Sequence, residues 1–214
     1  MNKVIKDIDS ALVSYPTLQR VKEYGFIRVK GGIPLIHPEK GEFDRYEVLI
    51  IFPKNFPKCF PKVIEISEKI PRNANRHVNY DNTLCLAVEP EEQAIAKNGI
   101  SFKFFLDKVL VPHLARETFR ENKGFYPDGE YAHGYDGIWE YYKSILDKED
   151  KQLILEELEQ VANSSWPKRN DKCSCGSGKK FKKCHMDIWL EVLKSGKPYV
   201  QNQIQILKNN INNE

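Results

Sequence analysis

The stretch that decides the fold is RYEVLIIFPKNFPKCFPKVIEISEKIPRNANRHVNYDNTLCL, residues 45–86. Tyr46 to Phe52 is an apolar run of strand length. Lys62 to Ser67 alternates Val63 and Glu65 with Ile64 and Ile66, which suits a strand with one wet face. Between the two lie Phe52-Pro53, Phe56-Pro57 and Pro61. Proline fixes φ and donates no hydrogen bond, so these residues belong outside a sheet ladder, on a stiff extended path. After the second strand, Arg72 to Asp81 has no periodicity and is rich in Asn and Arg, and the chain then reaches Cys85 between Leu84 and Leu86.

Working outward, Val4, Ile5, Ile8, Leu12 and Val13 fall near helical spacing and predict a short amphipathic helix over 3–15, ended by Pro16. A second helical turn is expected from Thr17 to Tyr24, closed by Gly25. Phe26–Lys30 and Ile33–His37 read as two short strands with Gly31-Gly32 as a hairpin turn. With Tyr46–Phe52 and Lys62–Ser67 they make a four-stranded antiparallel meander. Beyond the cysteine the period changes. Phe102, Phe105, Leu106, Val109, Leu110 and Leu114 mark a helix from about Ser101 to Arg120, with Ser101 as N-cap. A turn-rich loop, Gly124 to Gly137, precedes helices over Ile138–Leu146 and Asp150–Ala162, the second with its acidic residues expected outward. The polar linker Asn163–Asp171 carries the expected boundary between residues 1–163 and 164–214, and the Asn/Gln-rich final stretch is expected to fray.

The 214 residues are 41% hydrophobic and 29% charged, enough apolar content for a packed core. A formal net charge of +3 is too small to indicate nucleic-acid binding. No apolar run approaches the roughly 20 residues of a membrane span, and no export signal is read at the start, so a cytoplasmic protein without membrane contact is expected. The five cysteines are an odd number and unevenly spaced, which points to metal or nucleophilic use over a disulfide framework. Cys59, in the proline turn, is read as structural; His133 with Asp136 is read as a turn cap or a base near Cys85.

Cys85 flanked by leucines is, taken alone, the pattern of a core cysteine. Its position after a sheet-held polar loop is also how nucleophilic thiols are built. A thiolate is a strong nucleophile. The Asn79 amide suits an oxyanion, and His77 suits a base or a loop anchor. The order of helix, meander, Phe-Pro-x-x-Phe-Pro, Pro61-Lys62-Val63, His77-Val78-Asn79 and then Leu84-Cys85-Leu86 resembles the ubiquitin-conjugating (UBC) fold, an α+β architecture. The resemblance covers the first half of the chain. It implies that Cys85 carries a thioester to a protein C-terminus while Asn79 stabilises the oxyanion as an amine attacks. Asp81, Glu89 and His133 are the unranked candidates for the base that deprotonates the attacking amine. Val78 stands where the family has proline, the gap from Asn79 to Cys85 is shorter, and Trp-Ser-Pro after the cysteine is absent. These departures resemble the bacterial branch of CBASS-type antiphage islands. That resemblance implies a cGAS-like nucleotidyltransferase C-terminus as partner, and possible need of an activating enzyme. The alternative is a non-catalytic adaptor on the same fold, or an adaptor for secretion or degradation led by the C-terminal segment.

That segment, DKCSCGSGKKFKKCHMD, places Cys173, Cys175, Cys184 and His185 as three thiolates and an imidazole, a closed set suited to structural Zn2+. It resembles the SEC-C zinc module, with Gly176-Ser177-Gly178 turning between ligand pairs. Lys179, Lys180, Lys182 and Lys183 form a basic face suited to docking an acidic partner protein.

Overall fold

The computed structural model describes residues 2–23, 25–127, 129–163 and 165–211. By contacts the chain divides into two compact units, residues 1–87 with 98–130, and residues 88–97 with 131–214.

The first unit opens with α1 (Asn2–Leu12) and continues into a four-stranded antiparallel sheet, order β1-β2-β3-β4, formed by β1 (Leu18–Glu23), β2 (Phe26–His37), β3 (Gly41–Ile51) and β4 (Lys62–Glu65). The meander expected from the sequence is therefore present, but two of its pieces differ. Residues 18–23, expected to be helical, are strand β1 and pair with Phe26–Gly31. The Gly31-Gly32 pair is not a turn. It lies inside one long strand, β2, opposite Val48 and Glu47. A Cβ on Gly31 would stand 2.1 Å from the Thr17 carbonyl oxygen, and one on Gly32 2.6 Å from the Glu47 carboxylate. The glycines serve close approach across the sheet, a role that sequence alone does not separate from turning.

Val29, Ile33, Leu35, Tyr46, Val48, Ile50 and Val63 are buried. The prolines of residues 53–61 lie between β3 and β4, outside the ladder as expected, and Phe56-Pro57 is a cis peptide. Their phenylalanines turn inward: Phe52 meets Phe56 at 5.0 Å and Phe102 at 4.9 Å between ring centroids, and Phe60 meets Phe105 at 5.6 Å. The expected helix after Ser101 is continuous through α3 (Phe102–Phe105), a π-helical segment (Leu106–Leu110) and α4 (Val111–Lys123). The Ser101 hydroxyl accepts from the Phe104 amide at 3.0 Å, the predicted cap. Pro112 has no N–H to give to the turn below it, and Val111 reaches back five residues to Leu106 instead.

The second unit holds α2 (Glu89–Ala96), α5 (Gly134–Leu146), α6 (Lys151–Asn163), α7 (Met186–Val192) and α8 (Lys197–Ile211). Its core joins Trp139 and Tyr142 of α5, Ile154, Leu158 and Val161 of α6, Phe181, Trp189 of α7, and Val200, Ile204 and Leu207 of α8. The cysteine-rich segment is part of this core, since Cys173 and Phe181 are buried in it, so the expected boundary at residues 163/164 falls inside the unit. Two expectations are corrected. The Asn/Gln-rich stretch through Ile211 is a helix, because Val200, Ile204, Leu207 and Ile211 recur at helical spacing and bury one stripe; residues 212–214 lie outside the described residues. The acidic residues of α6 are not all outward: Glu157 is buried. No helix among the described residues is long and apolar enough to cross a membrane.

Candidate functional site

In the first unit, residues 77–85 fold into a small hairpin. Val78 and Leu84 form an antiparallel bridge, and the Asn79 N–H donates to the Thr83 carbonyl at 2.8 Å. At the open end the Cys85 N–H donates to the His77 carbonyl at 2.6 Å, so His77 and Cys85 stand across from each other. Thr83 bridges Ile64 of β4, and Leu84 donates to the Val63 carbonyl at 2.7 Å, so the hairpin is fastened to the sheet edge. Val78 and Leu84 are buried, while Cys85 and His77 are half-buried and Asn79 is exposed. Val78, Thr83 and Leu84 turn inward, and His77, Asn79 and Cys85 are left toward the surface. The cysteine between two leucines is thus not a core residue.

The turn is locked by Asp81. Its carboxylate accepts from the Thr83 N–H at 3.1 Å and the Thr83 hydroxyl at 2.5 Å, and pairs with the Lys62 ammonium at 3.0 Å. Those contacts, the Thr83 hydroxyl first, hold the Asp81 carboxyl down to about 2. So weak a base is unsuited to taking a proton from an attacking amine at neutral pH. One N–H of the Asn79 amide donates to the Thr83 hydroxyl oxygen at 3.0 Å. The Cys85 thiol faces the Ala87 carbonyl at 3.8 Å.

Behind His77 lies a charged cluster. Glu117 of α4 has no solvent exposure. Both Nε and Nη2 of Arg76 donate to it, at 3.1 and 3.0 Å, and the Tyr126 hydroxyl donates to its other oxygen. Burial first, then Glu117, pushes the Tyr126 hydroxyl up to about 12. The His77 Nε2 lies 3.0 Å from Glu130, which also pairs with Arg120 at 3.4 Å. His113, one turn before Glu117 on α4, is driven down to about 3 by burial and secondarily by His77 and Arg116, and its Nε2 is buried without a hydrogen-bond partner. Glu117, Arg76, Asp81 and Glu130 were not singled out from sequence for these roles. Glu117 had a signal: it continues the Leu110, Leu114 stripe, where an acid signals a buried partner.

In the second unit, the predicted Cys173, Cys175, Cys184 and His185 come together, with their donor atoms all within 4.8 Å of one another. Lys172 and Lys180 form a bridge, and the Cys173 N–H donates to the Lys179 carbonyl at 2.8 Å, closing a knuckle around Gly176 and Gly178. Both glycines have positive φ, 78° and 73°. The Phe181–Lys183 turn then delivers Cys184 and His185 to the start of α7. Sγ of Cys175 and Cys184 are 3.6 Å apart, and His185 Nδ1 lies 3.2 Å from both Cys173 and Cys184 Sγ. A tetrahedral ion with metal–sulfur bonds of roughly 2.3 Å requires donor edges of about 3.7 Å, so the donor set fits a metal such as zinc. Hydrogen bonds from the Ser177 hydroxyl and then its N–H pull the Cys175 thiol down to about 6, while burial raises Cys173. With Nδ1 facing the sulfurs, His185 Nε2 points to the buried Glu157, 3.7 Å away. Glu157 is itself held by the Trp189 indole N–H at 2.8 Å and the Lys148 ammonium at 3.2 Å. A carboxylate behind a ligating histidine is the usual orienting partner of such a site. Lys179, Lys180 and Lys183 are exposed around it.

Comparison with known proteins agrees with this geometry. Residues 169–187 match the SEC-C motif. The chain is also similar to UPF0225 proteins of Vibrio: 49% identical over 49 residues to one from Vibrio vulnificus strain CMCP6, which is 23% of this chain and 29% of the relative. A UPF0225 protein of Vibrio cholerae is 40% identical over 58 residues, 21% of this chain and 38% of the relative. The chain therefore spans well under half the length of these relatives. No solved structure matches it.

Proposed function

We propose that this chain is a ubiquitin-conjugating-like cysteine acyl carrier whose Cys85 forms a thioester with the C-terminus of a partner protein, and that its Cys/His cluster holds structural zinc. The observation that carries the first part is the hairpin: it sets a half-buried thiol across from His77, on the same short ladder as Asn79, at the edge of a four-stranded meander. In the step proposed, the Cys85 thiolate attacks the activated carboxyl carbon, the S–C bond forms and the activating group leaves. An amine then attacks that carbon and the sulfur departs. The UBC-like order of proline marks, His77-Val78-Asn79 and Cys85 supports a cGAS-like nucleotidyltransferase as the partner, in a bacterial cytoplasmic antiviral setting. Zinc is supported by the three-sulfur, one-nitrogen donor set and by the SEC-C match.

The test is to incubate the chain with such a nucleotidyltransferase, an activating enzyme and ATP. A reductant-sensitive adduct is expected, and Cys85→Ala should lose it. An adduct that survives in Cys85→Ala, or none with the native chain, sinks the carrier reading. The Asn79–Thr83 contact favours a second reading, a protein-binding adaptor, because there the amide serves the turn and not an oxyanion. The adaptor binds the same partner with no adduct.

A further inference from the structure

Glu130 follows α4 in the turn-rich loop, and the sequence offered this residue itself no chemical role. Its carboxylate oxygen lies 3.0 Å from His77 Nε2 and 3.4 Å from Arg120 Nη1. Arg120 in turn lies over the Tyr126 ring at 4.4 Å and donates to the Asn75 carbonyl, and Tyr126 stands 5.6 Å from the His77 ring. The imidazole is thus held on one side by a carboxylate that is itself held. An ionised carboxylate only accepts hydrogen bonds, so the nitrogen facing it must carry the proton. In a neutral ring that leaves Nδ1 as the acceptor nitrogen. On the main chain, the His77 carbonyl takes the Cys85 N–H, which puts ring and thiol on facing residues.

We propose that Glu130 is a positioning residue for the Cys85 site: it holds the His77 ring with Nε2 protonated, so that Nδ1 receives the proton of the Cys85 thiol. This rests on the reading of Cys85 as nucleophile. The transfer is balanced within the chain. The S–H bond breaks, the proton joins Nδ1, and the products are a thiolate and an imidazolium whose charge faces Glu130. In doing so the thiol gives up its 3.8 Å contact with the Ala87 carbonyl. Nucleophile, base and orienting acid in this order are the arrangement by which thiols are activated generally. The charged and titratable groups around His77 include Glu130, Arg120, Tyr126, Arg76 with its partners Glu117 and Glu121, and His113. Of these, Glu130 places a carboxylate oxygen in contact with the ring.

Two measurements on the full chain test this. In nitrogen NMR of the native chain near pH 7.5, His77 is expected as the Nε2–H tautomer. An Nδ1–H tautomer overturns the proposal even if no variant folds. Second, the rate of Cys85 alkylation by iodoacetamide is followed against pH by peptide mapping. A free thiol titrates near 8.5, and each unit of downward shift raises the thiolate fraction about tenfold at lower pH. His77→Gln is expected to slow alkylation at pH 7 about tenfold, and Glu130→Ala several-fold, with partial recovery in Glu130→Asp. Variants that melt cooperatively yet alkylate at the native rate overturn it. A chain that shows this profile but forms no adduct with the nucleotidyltransferase keeps the proton transfer and loses the acyl-carrier reading. One that forms the adduct with an unaltered profile does the reverse.

Discussion

Glu117 is a carboxylate with no contact with water, held by Arg76 and Tyr126. Removing one partner of a buried pair strands the other. Glu117→Ala is therefore expected to cost about 3 kcal/mol in urea unfolding, the low end of such losses because Arg76 keeps Glu121. His113 gives the first unit a pH dependence with a definite sign. Its imidazole ordinarily titrates at 6.5 but only near 3 when folded, so between those values the unfolded chain binds the extra proton. Stability from this residue is complete above pH 6.5 and falls progressively as pH drops toward 3. A His113→Gln chain should show a flatter fall of the urea midpoint over that window. Asp81 acts in the same sense within the hairpin but at lower pH, since its carboxyl is depressed to about 2. Its contribution is present above pH 3.8 and lost as pH falls through about 2, which the Thr83 amide should report by NMR.

At the scale of elements, α8 shows where composition misleads. A stretch dense in Asn and Gln reads as a fraying tail, yet its apolar residues keep helical spacing and one face of α6 receives them. Ile204→Ala should cost about 2–5 kcal/mol, as for a buried aliphatic, while the exposed Gln205→Ala should change stability by less than about 0.5 kcal/mol. If the stretch frayed, both would be silent. The helix capped by Ser101, with Phe102 and Phe105 on its buried face, was legible because capping and periodicity are local. Strand β1 was not, because Leu18–Glu23 is extended by pairing with β2, and a pairing partner is not written in six residues. Gly31-Gly32 failed for a related reason: what demands glycine there is the Thr17 carbonyl across the ladder.

For the molecule as a whole, the Cys/His segment shares a core with α5–α8, and Trp139, Trp166 and Trp189 all lie in the second unit, so tryptophan fluorescence reads that unit alone. Stripping metal with a strong chelator should raise amide exchange across residues 169–187 and change the emission of Trp189, whose indole binds Glu157 behind His185. The apolar packing of Ile154, Leu158, Ile204 and Leu207 needs no metal, so α6 and α8 should stay protected. Unchanged exchange in residues 169–187 would remove zinc from the account.

The candidate ligands and the candidate nucleophile were readable in order along the chain. Cys173, Cys175, Cys184 and His185 sit within thirteen positions, and a metal-ligand set that compact is fixed by spacing and donor type alone. The prolines, His77, Asn79 and Cys85 were likewise visible as a pattern. What needed the folded chain was every partner brought from far away: Glu117 and Glu130 to residues 76 and 77, and Glu157 to His185. A buried carboxylate survives only beside a compensating charge or donor, and that compensation is a matter of distance in space, set when the helices pack.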